Sequence, residues 1–232
     1  MKLTDTEILQ IYTFTQRHFV EWYDVQTELV DHLANGIEGQ WESNPNLTFD
    51  EALKQEFKKF GVFGFSDVVE QKTNALESFY RKEVWKYLKE YFKLPKIILT
   101  AFSVWFVFKI FKLFDNKEYV VVSLLVAAFC FYLFYVTKES LRIKKAQKQT
   151  GKKWLFESVI GQLGGFLQLL NIGIYMPIIN FDRQWDTLAQ LSFSVCFVVY
   201  ILLFFVSVKV VSPKLKDKMS KEHPEYNISI IL

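Results

Sequence analysis

Apolar residues recur every four positions through Val25, Leu29, Leu33, Ile37 and Trp41, while Asp24, Glu28, Asp31 and Glu38 take the other positions. That spacing predicts one helix with an apolar face, ended by Asn44-Pro45-Asn46. A second helix starts at Thr48, which can cap it, with Glu51 three residues later in the arrangement that satisfies orphan backbone donors reciprocally. Its apolar face is Phe49, Ala52, Leu53, Phe57 and Phe60, and Gly61 suits the left-handed residue that closes a helix. After Gly64 the helical spacing resumes through Val68, Val69, Leu76, Phe79 and Tyr80. A compact bundle of three or four short helices over residues 1–80 buries these faces.

Beyond Leu94 the amphipathic pattern gives way to four long apolar runs, about Ile97 to Phe114, Tyr119 to Thr137, Leu155 to Ile179 and Leu188 to Val211. Each approaches the roughly 20 residues a helix needs to cross a hydrocarbon core, and lipid leaves no alternative to helix for such runs. The predicted fold is therefore all-α, a small cytoplasmic helical bundle followed by a four-helix transmembrane bundle over residues 95–211, with a cytoplasmic tail over 212–232. Residues 81–94 join the two, with aromatic Trp85, Tyr91 and Phe92 among Lys82, Lys86, Lys89 and Lys93. This is the composition of a helix lying in the headgroup region, anchored by Trp85, Tyr91, Lys86 and Lys89. Pro95 then bends the chain toward the bilayer.

Charge sets the topology. The net +3 of the 232 residues hides an N-terminal third rich in Asp and Glu and a remainder that carries most of the Lys. Lys138, Arg142, Lys144, Lys145, Lys148, Lys152 and Lys153 lie between the second and third runs, and Lys214, Lys216, Lys218 and Lys221 follow the fourth. The positive-inside rule puts both segments, and hence both termini, in the cytoplasm of a multi-pass protein of the inner membrane. The start of the chain has acidic residues and no apolar signal region, so no secretory signal is expected. The basic loop lacks interleaved aromatics for base stacking, so it is assigned to anionic lipid and not to nucleic acid. Lys109, Lys112 and Lys209 can snorkel to the interface.

The third run carries Glu157, Gly161, Gly165, Gln168 and Asn171 at spacings that place them on one helical stripe. Gly161 and Gly165 permit close helix approach, and Gln168 and Asn171 can hydrogen-bond across the contact. The stripe is thus a packing seam, within the bundle or between protomers of a homo-oligomer, or else a polar path with Glu157 at its cytoplasmic mouth. Cys130 and Cys196 stand alone in apolar runs as packing residues. Glu28 and His32 share a face beside Asp31, but no second ligand cluster accompanies them, and His18 and His223 are read as solvated. No catalytic constellation, metal or cofactor is expected.

Glu28-Leu29-Val30-Asp31-His32-Leu33, Leu47-Thr48-Phe49-Asp50-Glu51-Ala52-Leu53 and Phe57-Lys58-Lys59-Phe60-Gly61 resemble the small helical domain called HAAS and the related permease-prefix domain. The likeness covers about Tyr23 to Glu70 and departs after Gly61, where Val62-Phe63-Gly64-Phe65 replaces a polar or Pro-containing turn. The Phe-rich, Lys-rich membrane half looks like that of Bacteroidota proteins. The resemblance implies a cytoplasmic interaction module of a bacterial regulatory membrane protein, and not a catalyst. The expected partner is another membrane or cytoplasmic protein, met through Glu28, Asp31 and His32. The alternative is a transport or channel component using the third-run stripe.

Overall fold

The computed structural model describes residues 2–162 and 185–226, and these are helical, with no strand among the described residues. The chain divides into two compact units. The first comprises residues 1–76 and 147–158, the second 77–146 and 159–232.

In the first unit, α1 (Asp5–Arg17), α2 (Tyr23–Ser43), α3 (Phe49–Lys58) and the start of α4 (Phe65–Glu90) surround a core of Ile11, Val25, Leu29, Leu33, Ile37 and Trp41. The four-residue stripe of α2 is the buried face, as its spacing requires. Two capping boxes start helices here. Thr48 and Glu51 open α3, and Thr4 and Glu7 do the same for α1. Gly61 and Gly64 have φ of +76° and +56°, conformations that glycine adopts without steric cost. Phe19, between α1 and α2, has φ +63°, where a bulky side chain is strained by about 1–3 kcal/mol. Gly36 of α2 lies so close to α3 that an added Cβ would meet the Glu56 carboxylate at 2.5 Å. Glu56 is buried there, bonded by Gln40 and Lys59.

The second unit contains the rest of α4, then α5 (Lys96–Leu113), α6 (Lys117–Thr150), the end of α7 (Leu155–Gly161), α8 (Thr187–Phe205), a π-helical turn (Val206–Val211) and α9 (Ser212–Glu222). Among the described residues two helices are long and apolar enough to cross a membrane, α6 and the continuous run from Thr187 to Glu222. Within the described structure, 17% and 22% of their most apolar stretches is buried. The described residues therefore show two of the four expected spans. The 18 residues of α5 include Lys96, Lys109 and Lys112, and most of the third run lies outside the described residues. Val107 and Phe111 of α5 nevertheless pack with Val120, Val121 and Val198.

Two sequence expectations are corrected. Cys130 and Cys196 do not pack but are exposed on α6 and α8, because the apolar runs that hold them turn most of their side chains outward. His18 is not solvated. It caps α1, and its ring lies 4.1 Å from that of Phe14 and 4.4 Å from that of Phe57, while Nδ1 is 2.8 Å from the Phe14 carbonyl.

Candidate functional site

The polar contacts of highest sequence separation in the first unit gather where the chain leaves α6 and starts α7. Gly151 has φ +67° and its N–H bonds the Gln147 carbonyl at 2.9 Å, which closes α6. Residues 152–156 then lie along the beginning of α2. The Tyr23 N–H donates to the Lys153 carbonyl at 2.7 Å. The two carboxylate oxygens of Asp24 accept from the Leu155 N–H at 3.0 Å and the Phe156 N–H at 3.4 Å. Asp24 thereby caps α7 from another helix, supplying acceptors to backbone donors that the helix itself cannot satisfy. Burial pushes the Asp24 carboxyl above its ordinary range, against the opposing pull of the Leu155 and Phe156 N–H groups.

Cations and aromatic rings complete this clasp. Lys152 stands 3.8 Å from the ring centroid of Tyr23 and Lys153 4.1 Å from that of Trp22. Lys153 also pairs with Glu21, Trp154 meets Tyr23 edge-on, and Leu155 joins the core. Sequence reasoning assigned Lys152 and Lys153 to a lipid-facing loop and gave Asp24 no role. The only available signal was Trp22-Tyr23-Asp24 at a helix start and Lys152-Lys153-Trp154 at another, and nothing in either run pairs them.

Glu28, Asp31 and His32 are exposed on α2. Glu28 is bonded to Lys72 of α4 at 2.6 Å, and the His32 ring stands edge-on to Phe60. Among the described residues no group of three or more His, Cys, Asp or Glu could hold a metal ion. Glu157 is buried in the first turn of α7. A Cβ on Gly161 would contact Ile143 of α6 at 3.4 Å, so this glycine faces a neighbouring helix of its own unit. Gly165, Gln168 and Asn171 lie outside the described residues.

In the second unit a polar knot surrounds the π-helical turn. The Ser207 carbonyl accepts from the Ser212 N–H and from Ser212 Oγ at 2.8 Å, and the Tyr80 hydroxyl lies 3.3 Å from it. The π turn leaves that carbonyl in reach of side-chain donors, a geometry frequent at functional sites. Tyr80, Val84 and Leu88 form the buried face of α4, while Trp85, Lys86 and Lys89 are exposed and Tyr91 stands edge-on to Phe205. Basic side chains of α9 grip the helices around them. Lys214 donates to the Tyr87 hydroxyl at 2.8 Å, Lys218 stands over Phe79, and Lys216 pairs with Glu139, which also holds Arg142 at 2.9 Å. Burial alone would raise the Glu139 carboxyl, but Lys216 and Arg142 outweigh it and hold it below its ordinary range. The Ser194 hydroxyl donates to the Gln190 carbonyl at 2.7 Å, which leaves its proton engaged by the backbone.

No family model, curated protein or solved structure matches the chain.

Proposed function

We propose that this chain is a multi-pass regulatory or adaptor protein of a bacterial inner membrane. Its first unit serves as a cytoplasmic interaction module of the HAAS-like kind, and its apolar helices serve as anchor and assembly unit. The observation that carries this reading is the clasp between Asp24 and the start of α7. Residues 147–158 belong to the helical module although they stand between the second and third apolar runs in sequence. A module that merely hung from the membrane by α4 would have no need to hold this segment by a half-buried carboxylate. Occupancy of the module by another protein thus has a direct covalent route into the third run.

The basic segments at Lys138 to Lys153 and Lys214 to Lys221 support a topology with both ends in the cytoplasm. The test is to extract the native protein in mild detergent and identify what co-purifies in fixed ratio. A partner protein is expected, and its recovery should fall with Asp24→Ala. Recovery of the chain alone would sink the adaptor reading.

Burial of Glu157 at the start of the third run favours a second reading, a transport or channel component with a polar path along Gly161, Gly165, Gln168 and Asn171. It predicts ion or solute flux in liposomes that Asn171→Leu abolishes. Absence of flux from the intact protein removes it.

A further inference from the structure

One end of the first unit spends conformational energy on displaying apolar side chains. Phe19 is 89% exposed although its φ of +63° is a conformation that Asn or Gly adopts at less cost. Val62 and Phe63 are 98% and 72% exposed, raised between two glycines of positive φ. The two segments share a floor. His18, next to Phe19, lies against Phe57 and Phe65, which flank the 61–64 loop, and a Cβ on Gly64 would touch Phe57 at 3.1 Å.

Strain and exposure at the same residue bring the isolated unit no packing. Water disfavours each of these side chains, so their retention at one end requires something that covers them. The charge around the patch defines the occupant. Arg17 and Lys58 end α1 and α3 beside it and hold no carboxylate among the described residues. Lys59 pairs with Glu56. Glu21, two residues after Phe19, pairs with Lys153, and Asp67 is the acidic residue in the first turn of α4, so Arg17 and Lys58 leave the rim net positive.

We infer that Phe19, Val62 and Phe63 form the docking face of the first unit, and that its occupant is a separate protein presenting an apolar segment flanked by Asp or Glu. A hydrophobic centre with a complementary charged rim is the common anatomy of a specific interface. Outside this face, the first unit of a second copy of the chain offers at most the single exposed Leu9 on the helix that carries Asp5 and Glu7, less than three apolar side chains require, and adducts to it are an outcome of the test. The inference rests on the adaptor reading and replaces Glu28, Asp31 and His32 as the centre of contact.

The experiment replaces Phe63 by the photo-crosslinking amino acid p-benzoylphenylalanine in the full chain, in the membranes of cells that make it. The expected adduct is to a different polypeptide, mapped by mass spectrometry to an apolar segment with acidic flanks. Its yield should fall by ~10-fold in the Arg17→Glu, Lys58→Glu double variant. It should also fall in Phe19→Asn, whose melting temperature stays equal to or above that of the parent because Asn tolerates the left-handed conformation. Adducts to lipid or to a second copy, a basic segment in the partner, or indifference to charge reversal would each overturn the inference. No adduct at Phe63 while a partner still co-purifies refutes this face and leaves the adaptor reading standing. No adduct and no partner refutes both.

Discussion

The two units treat the same kinds of side chain in opposite ways. In the first, the large apolar residues of α2 are buried, with Leu33 and Ile37 fully out of reach of solvent, and most charged residues, Glu56 and Glu157 excepted, are not. In the second, Phe102, Trp105, Phe131, Phe134 and Leu188 are turned outward while Gln190, Ser194, Ser207 and Tyr132 are buried. A fold in water gains by hiding hydrocarbon. A fold in lipid has no such gain and is held instead by packing and by polar contacts among its helices. The difference teaches that burial has to be judged against the solvent of each region. Under the membrane reading proposed above, exposed Phe134 in the second unit faces hydrocarbon at no cost, whereas exposed Phe63 in the first faces water.

Truncation of one large apolar residue in each unit gives the largest contrast. Leu33→Ala removes a fully buried side chain from the core of the first unit and should lower stability by about 2–5 kcal/mol. Phe134→Ala removes a side chain that is 66% exposed and should change the melting temperature of the protein in lipid nanodiscs very little. Phe134→Lys should instead cost about 2.5–3.5 kcal/mol, measured as reduced membrane insertion. If Phe134→Ala proves as damaging as Leu33→Ala, this surface of α6 is covered by protein.

Next in size is the clasp. Asp24→Ala leaves the Leu155 and Phe156 N–H groups without their acceptor and should destabilise the first unit by about 1–3 kcal/mol. Hydrogen exchange should accelerate at residues 154–158 and stay unchanged in α5 and α8. Asp24→Asn keeps one oxygen acceptor and removes a half-buried charge, so it should cost less. Equal costs for the two would show that the carboxylate acts by charge and not by hydrogen bonding.

Two half-buried carboxylates, one in each unit, titrate with opposite signs. The Asp24 carboxyl is raised from its unfolded value of 3.8, so the folded state holds the proton more tightly. Its contribution is full below pH 3.8 and is lost as the pH rises through the folded value. The Glu139 carboxyl is lowered from 4.5, so its contribution is present above pH 4.5 and is lost as the pH falls through the folded value. Melting curves across this acid range should therefore lose one slope in Asp24→Asn and the opposite slope in Glu139→Gln. Two variants with the same slope change would refute the contrast.

What could be read from the chain follows the same division. The α2 stripe and the Thr48 box were legible because water forces a strict period on a half-buried helix and because a cap is local in sequence. The clasp was not, since Asp24 meets Leu155 across 131 residues and its partners are backbone groups that every residue carries. The π turn at Val206–Val211 was also invisible, because Val and Ser there suit an α-helix equally well. His18 was misplaced for a related reason. Its polar neighbours in sequence are not its neighbours in space, which are Phe14, Phe57 and Phe65.

The smallest expected effect on stability is the most informative about function. Glu28 and Lys72 form an exposed pair, with 59% and 42% of their side chains accessible, and such pairs contribute about 0–1 kcal/mol. The triple variant Glu28→Ala, Asp31→Ala, His32→Ala should therefore leave the melting temperature within a degree or two of the parent. The variant isolates contact from folding. If a co-purified partner is lost while the fold is intact, binding runs through the acidic face of α2. If the partner is retained and is lost instead in Phe19→Asn, the apolar end of the unit is the contact, and the exposed acids of α2 are a solvated surface like any other.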